Sequence, residues 1–101
     1  MRLDELNTLP LHDATLHTLE MFWVEGQCKL ELSFSADFTA PIKRHRLTFS
    51  GVTMIHLTNE KAWGPSVSVN SATVTGRKVA IEMQTGDVIE IEASSVEFNA
   101  P

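Results

Sequence analysis

Along most of this chain, apolar and polar residues alternate in short runs. The clearest run is Cys28-Lys29-Leu30-Glu31-Leu32-Ser33-Phe34, which is apolar at every even position. Strict alternation predicts a strand with one buried face. The stretch before it, Thr15 to Val24, is rich in β-branched and aromatic residues and predicts a partner strand. A two-residue turn at Glu25-Gly26 would pair Trp23 with Cys28, Met21 with Leu30 and Leu19 with Leu32, with the apolar side chains on one face. His17 then points inward opposite Phe34. Phe22 and Val24 point the other way, which predicts cover on both sides for part of the strand.

The same reading continues downstream. Residues 36–42, "ADFTAPI", form a loop. Leu47 and Phe49 lie in one strand and Val52 to Leu57 in the next, with Ser50-Gly51 as the turn between them. "NEKAWGPS", residues 59–66, is the longest turn-rich stretch, and Val67, Val69 and Ala72-Thr73-Val74 mark another strand. In the last hairpin, Val79, Ile81 and Met83 alternate on one side and Ile89 and Ile91 on the other. A three-residue loop, Thr85-Gly86-Asp87, would pair Met83 with Ile89 and Ile81 with Ile91. Val96 and Phe98 close the sheet. At the start, Leu3, Leu6 and Leu9 recur at about helical spacing until Pro10 stops the helix.

These seven or eight short strands, mostly joined by hairpins, follow one brief N-terminal helix. The pattern predicts a mainly β chain, folded as an antiparallel sandwich or small closed barrel. An open, bent sheet with the helix on one face is the nearest alternative.

Composition narrows the function. A chain of 101 residues, 43% apolar, is expected to form a single domain spanning residues 1–101. The net charge of −5 argues against general affinity for nucleic acid or anionic membranes. Cys28 is the only cysteine, so the chain forms no disulfide within itself and offers no CxxC zinc site. A lone cysteine suits a reducing compartment. The opening "MRLDELNTLP" has acids where a signal peptide needs a positive start, and no apolar stretch approaches the length of a membrane span. The expectation is a soluble cytoplasmic protein without a cofactor.

Three groups of residues could carry chemistry. His12, Asp13 and His17 sit within six positions, and imidazole and carboxylate are good ligands for zinc or a similar metal. His12 and Asp13 are neighbours, however, and neighbours in a strand face opposite ways. In the simpler reading Asp13 caps a turn, His12 donates to a carbonyl, and His17 is a buried histidine. A turn at Ser50-Gly51 would also place His45 opposite His56. A metal-dependent hydrolase built on these residues is the second hypothesis.

The second group is the acidic face of the last hairpin. The register above sets Glu82 opposite Glu90, with Glu92 two positions on. Like charges facing each other cost up to about 1 kcal/mol, which a cation from the run Lys43-Arg44-His45-Arg46, a partner protein or water alone would offset. That run otherwise reads as a solvated strand edge. The third group is Trp63, Pro65, Ser66 and Asn70 in "AWGPSVSVN", where a tryptophan beside a rigid turn suits either a binding anchor or a plug at the end of a sandwich. Cys28 on an apolar face has the setting of an inert thiol.

The segments "LHDATLHTLEM", "LTFSGVTMIHL", "WGPSVSVN" and "IEMQTGDVIEIEA" together resemble small bacterial domains of unknown function. These open with an "HDA" strand and close with a "GDxIxI" hairpin. Some similar domains look like immunity proteins of bacterial toxin systems. The resemblance implies a bacterial, cytosolic, non-enzymatic protein and carries over no catalytic residue. The leading expectation is a small binding or interaction module. Its partner would be another protein, a basic toxin among the alternatives, or a second copy paired through exposed strand edges.

Overall fold

A computed structural model describes residues 2–37, 39–62 and 64–100. It contains eight strands in two antiparallel sheets and does not close into a barrel. The elements are a 3₁₀ helix Leu3–Thr8, then β1 Thr15–Phe22, β2 Gln27–Ser35, β3 Ile42–Ser50, β4 Met54–Leu57, β5 Val69–Thr75, β6 Lys78–Met83, β7 Val88–Glu92 and β8 Ser95–Asn99. The first sheet has the order β1-β2-β3-β8 and the second β4-β7-β6-β5.

The alternating residues face one another across the two sheets. Cys28, Leu30, Leu32 and Phe34 of β2 join Leu47 and Phe49 of β3 and Val96 of β8. From the other sheet come Val69, Val79, Ile81, Met83, Ile89 and Ile91. Leu3 and Leu6 bring the short helix onto this core, packed against β5. Burial also pushes the Cys28 thiol up to about 11.

Several expected registers are corrected, each by two residues. The β1–β2 turn spans four residues, Trp23 to Gly26, so Met21 pairs with Cys28 and Leu19 with Leu30. Trp23 and Val24 are left 86% and 91% exposed instead of continuing a covered strand. Phe22 is half-buried, and the Lys29 ammonium lies 4.9 Å from its ring centroid. In the last hairpin Ile81 pairs with Ile89 and Val79 with Ile91, and Met83 N–H donates to Asp87 C=O across the loop. A shift of two preserves the buried face, because side-chain direction has period two.

Two larger corrections concern connections. Ser50-Gly51 is not a hairpin turn. The chain leaves the first sheet there and enters the second, so β3 and β4 never pair. β3 is also an inner strand, with β2 on one side and β8 on the other, so its basic run does not lie on an edge strand. The return crossing, from β7 to β8, lies beside the outward one: Ser94 N–H donates to Ser50 C=O, Thr53 N–H to Glu92 C=O and Ala93 N–H to Arg77 C=O.

Gly51 makes the outward crossing possible. Its φ is +65°, and an added Cβ would sit within 2.8 Å of Ser94 Cβ. Gly76 has a similar φ of +61° with open space around it. Gly51→Ala should therefore cost about 2–4 kcal/mol, backbone strain plus the clash, against about 1–2 kcal/mol for Gly76→Ala. Urea melts of the two variants measure the difference, and adding Ser94→Gly should recover part of the Gly51→Ala loss. Equal losses would mean that the Gly51–Ser94 contact is unimportant.

Candidate functional site

The histidines singled out in the sequence go to four different places. His12 Nδ1 lies 2.7 Å from the Asn70 carbonyl oxygen, which can only accept, so Nδ1 carries a proton. Its Nε2 is 3.5 Å from Asp13. Asp13 adopts φ +67° and accepts a hydrogen bond from the Gln84 amide, while its own N–H donates to Val69 C=O. This pair locks the start of β1 to the start of β5. It lines an open cavity of about 560 Å³ together with Pro10, Ser33, Phe34 and Ile42.

His17 does not face Phe34. It sits at a β-bulge, where the β1–β2 register slips between Leu16 and Thr18, and it points outward to share a 2.7 Å hydrogen bond with Ser33 Oγ. The Ser33–His17 contact has the spacing of a nucleophile and base. Ser33, however, lies inside a strand paired on both sides, opposite Thr15 and Arg44. Backbone N–H groups in such a ladder are committed to their neighbours and cannot form an oxyanion hole. Among the described residues, no three His, Cys, Asp or Glu side chains come together as a metal-ligand set.

His45 and His56 lie in different sheets. His45 stands between the rings of Phe34 and Phe98, at 4.6 and 4.8 Å, and its Nε2 is buried without a hydrogen bond. His56 Nδ1 lies 3.1 Å from Glu90.

The acidic face is rearranged by the register. Glu82 faces Val88, not Glu90, and accepts from the Asn70 amide. Glu90 lies 2.7 Å from the Lys78 ammonium, and Lys78 together with His56 holds its carboxyl below the usual range. The expected cation is thus Lys78 on the neighbouring strand. Arg44 and Arg46 of the basic run instead engage Glu31, and Arg46 above all lowers the Glu31 carboxyl.

Of the turn residues, Trp63 lies outside the described residues and Asn70 serves the lock just described. Pro65 and Ser66 line a second groove, of about 320 Å³. One wall is Leu16 to Leu19 of β1, the other is residues 57–59, Lys61 and residues 65–67, and Met83 and Ile89 also line it.

The outer side of β1 has a strand-like neighbour only at its start. Asp13, Ala14, Thr15 and Leu16 are tied to Val67, Ser68 and Val69 by three backbone hydrogen bonds and one bridge. Upstream of Val67 the chain turns away at Pro65, which has no N–H to continue a ladder. Among the described residues, nothing pairs with the outer edge of β1 from His17 to Phe22, and residues 17–19 of that edge line the groove.

The far wall is held by Asp87, a residue that the sequence suggests is merely part of a hairpin loop. Its side chain is buried. It accepts from Glu60 N–H at 2.7 Å, Lys61 N–H at 3.1 Å, Thr58 Oγ1 at 3.0 Å and Thr85 Oγ1 at 3.2 Å. Ser66 joins through Thr85 at 2.8 Å. The Glu60 N–H above all holds the carboxyl far below the ordinary carboxylate range. A turn-rich loop with unpaired N–H groups signals the need for such an acceptor, but sequence does not say which acid supplies it.

No family model matches this sequence, and comparison with curated proteins finds no match. Among solved structures, the chain is similar to an uncharacterized protein from Neisseria gonorrhoeae. That likeness has 13% identity and a TM-score of 0.54, over 86% of this chain and 90% of the other. It shows a shared fold. Among the described residues, no helix is long and apolar enough to cross a membrane.

Asp87 gives the groove wall a pH signature. Its folded-state value lies below the ordinary 3.8, so its contribution to stability is complete above that value and declines as pH falls below it. Asp87→Asn should lower Tm by several degrees at pH 7, and the gap to the parent should narrow between pH 4 and pH 2. Melting both proteins across this range checks it. A gap independent of pH would assign the loss to packing rather than to charge.

Proposed function

We propose that this chain is a small protein-binding module that takes an extended segment of its partner along β1. The observation that carries the reading is the unpaired β1 edge from His17 to Phe22, lying beside an apolar groove. An added strand supplies affinity through main-chain hydrogen bonds and specificity through alternate side chains. The incoming segment would continue the line that Val67 and Ser68 begin, antiparallel to β1.

The other edges are less available. β4 has four residues and β8 five, and β5 is packed against the N-terminal helix. Short and covered edges are how sheets avoid unwanted pairing. β1 has eight residues, and its exposed apolar neighbours cluster along it: Met21 on the strand, Trp23 and Val24 beyond its end, and Leu57 and Val67 across the groove. Such a cluster suits a partner more than it suits water.

An octapeptide library with alternating apolar residues, screened by fluorescence anisotropy, tests the reading. Binders should shift backbone amide NMR signals of residues 16–22, 57–61, 66 and 67. Met21→Lys or Leu57→Lys should weaken binding about tenfold or more while moving Tm by no more than a few degrees. No binder in the library, or binders that map to the cavity beside His12 and Ile42, would overturn it.

A further inference from the structure

Electrostatics narrows the kind of segment this groove accepts. The chain carries 13 acidic residues and eight basic ones. Among the described residues, none of the acids lines the groove, and Lys61 and His17 are the charged or titratable residues of its lining. Glu20, Glu60, Glu82 and Glu90 are each next in sequence to a lining residue but are not themselves part of the lining, and Asp87 turns its carboxylate to the backbone N–H groups of Glu60 and Lys61. Among the described residues no carboxylate pairs with Lys61, Lys29, Lys43 or Arg77, whereas Arg2, Arg44, Arg46 and Lys78 each have an acidic partner; of the unpaired four, Lys61 lies in the groove lining.

Lys61 is also held in an unusual conformation. Its φ is +56°, a region that residues with a side chain seldom adopt. Asp87 fixes it there by accepting its N–H. The backbone that presents this ammonium is thus anchored to the core hairpin, although it lies in a loop. A cation on an anchored backbone, at the rim of a groove with no acid in its described lining, offers a negative group a site within a protein of net negative charge.

We propose that the partner segment bound along β1 is an extended apolar stretch carrying an aspartate or glutamate side chain that pairs with Lys61. This rests on the strand-addition reading above. The segment's apolar side chains lie against Leu16, Leu19, Leu57 and Ile89, and its carboxylate lies at the rim. The preference selects acidic–apolar partners and discriminates against basic ones.

The test uses three sets of octapeptides, acetylated and amidated at their ends, alternating valine and threonine. Each set carries Glu, Gln or Lys in turn at every threonine position. A fourth set keeps Gln but has a free terminal carboxylate. Anisotropy titrations are run on the parent protein, Lys61→Gln and Lys61→Glu. At low salt the best Glu peptide should bind the parent about 3- to 10-fold tighter than its Gln counterpart, with the Lys peptide weakest. Lys61→Gln should remove the preference, Lys61→Glu should invert it, and 1 M salt should flatten it.

Failure of every peptide to bind the parent overturns strand addition itself. Binding without a Glu preference, or a preference that survives in Lys61→Gln, overturns only the pairing with Lys61. Tighter binding by the free-carboxylate set than by any Glu peptide would make a chain terminus the ligand. A dimer in sedimentation that peptides dissociate would make a second copy the occupant. Either of the last two outcomes replaces the proposal.

Discussion

The architecture depends on the chain changing sheets twice at neighbouring points. β3 delivers the chain to the second sheet through Gly51, and β7 returns it to the first through Ala93 and Ser94. The two crossings are hydrogen-bonded to each other, Ser94 to Ser50 and Thr53 to Glu92. That stitching turns a run of hairpins into two layers that share one core. It also leaves no room for a side chain at residue 51, where the backbone needs a positive φ and Ser94 occupies the space a Cβ would need.

The two sheet faces were legible because they follow from parity. Residues 28 to 34 and 79 to 91 announce their buried side by alternation, and a turn longer or shorter by two residues leaves that side unchanged. Register is a finer matter. Whether Glu82 meets Glu90 or Val88 depends on where the loop closes, and Gln84-Thr85-Gly86 closes it one step earlier than Thr85-Gly86-Asp87. The difference is large for charge, since it replaces an opposed acid pair with Glu90 held by Lys78 and His56.

The crossing at Gly51 was not legible at all. Two apolar runs around Ser-Gly look the same whether they fold back on each other or part into separate sheets. That ambiguity separated His45 from His56 and sent one into an aromatic sandwich and the other to Glu90. The bulge at His17 was equally silent, because one residue of slack in β1 shows only when its partner strand is known. His12 reaches the Asn70 carbonyl far along the chain, a contact that no local pattern shows. The groove joins residues 16–19 to residues 57–59, 61 and 65–67, so no local pattern could reveal it. Among its walls, Pro65 and Ser66 drew notice from sequence as part of a rigid turn, and His17 as a candidate ligand.

Cys28 has a consequence of a different kind. Its thiol is fully buried in the shared core and pushed up to about 11, so in the folded state it is shielded both from reagents and from ionisation. Both shields fall only when the two sheets part. The rate at which a maleimide captures this sulfur is therefore a stopwatch on the opening of the whole sandwich, already present in the natural sequence and blind to fraying at the strand edges.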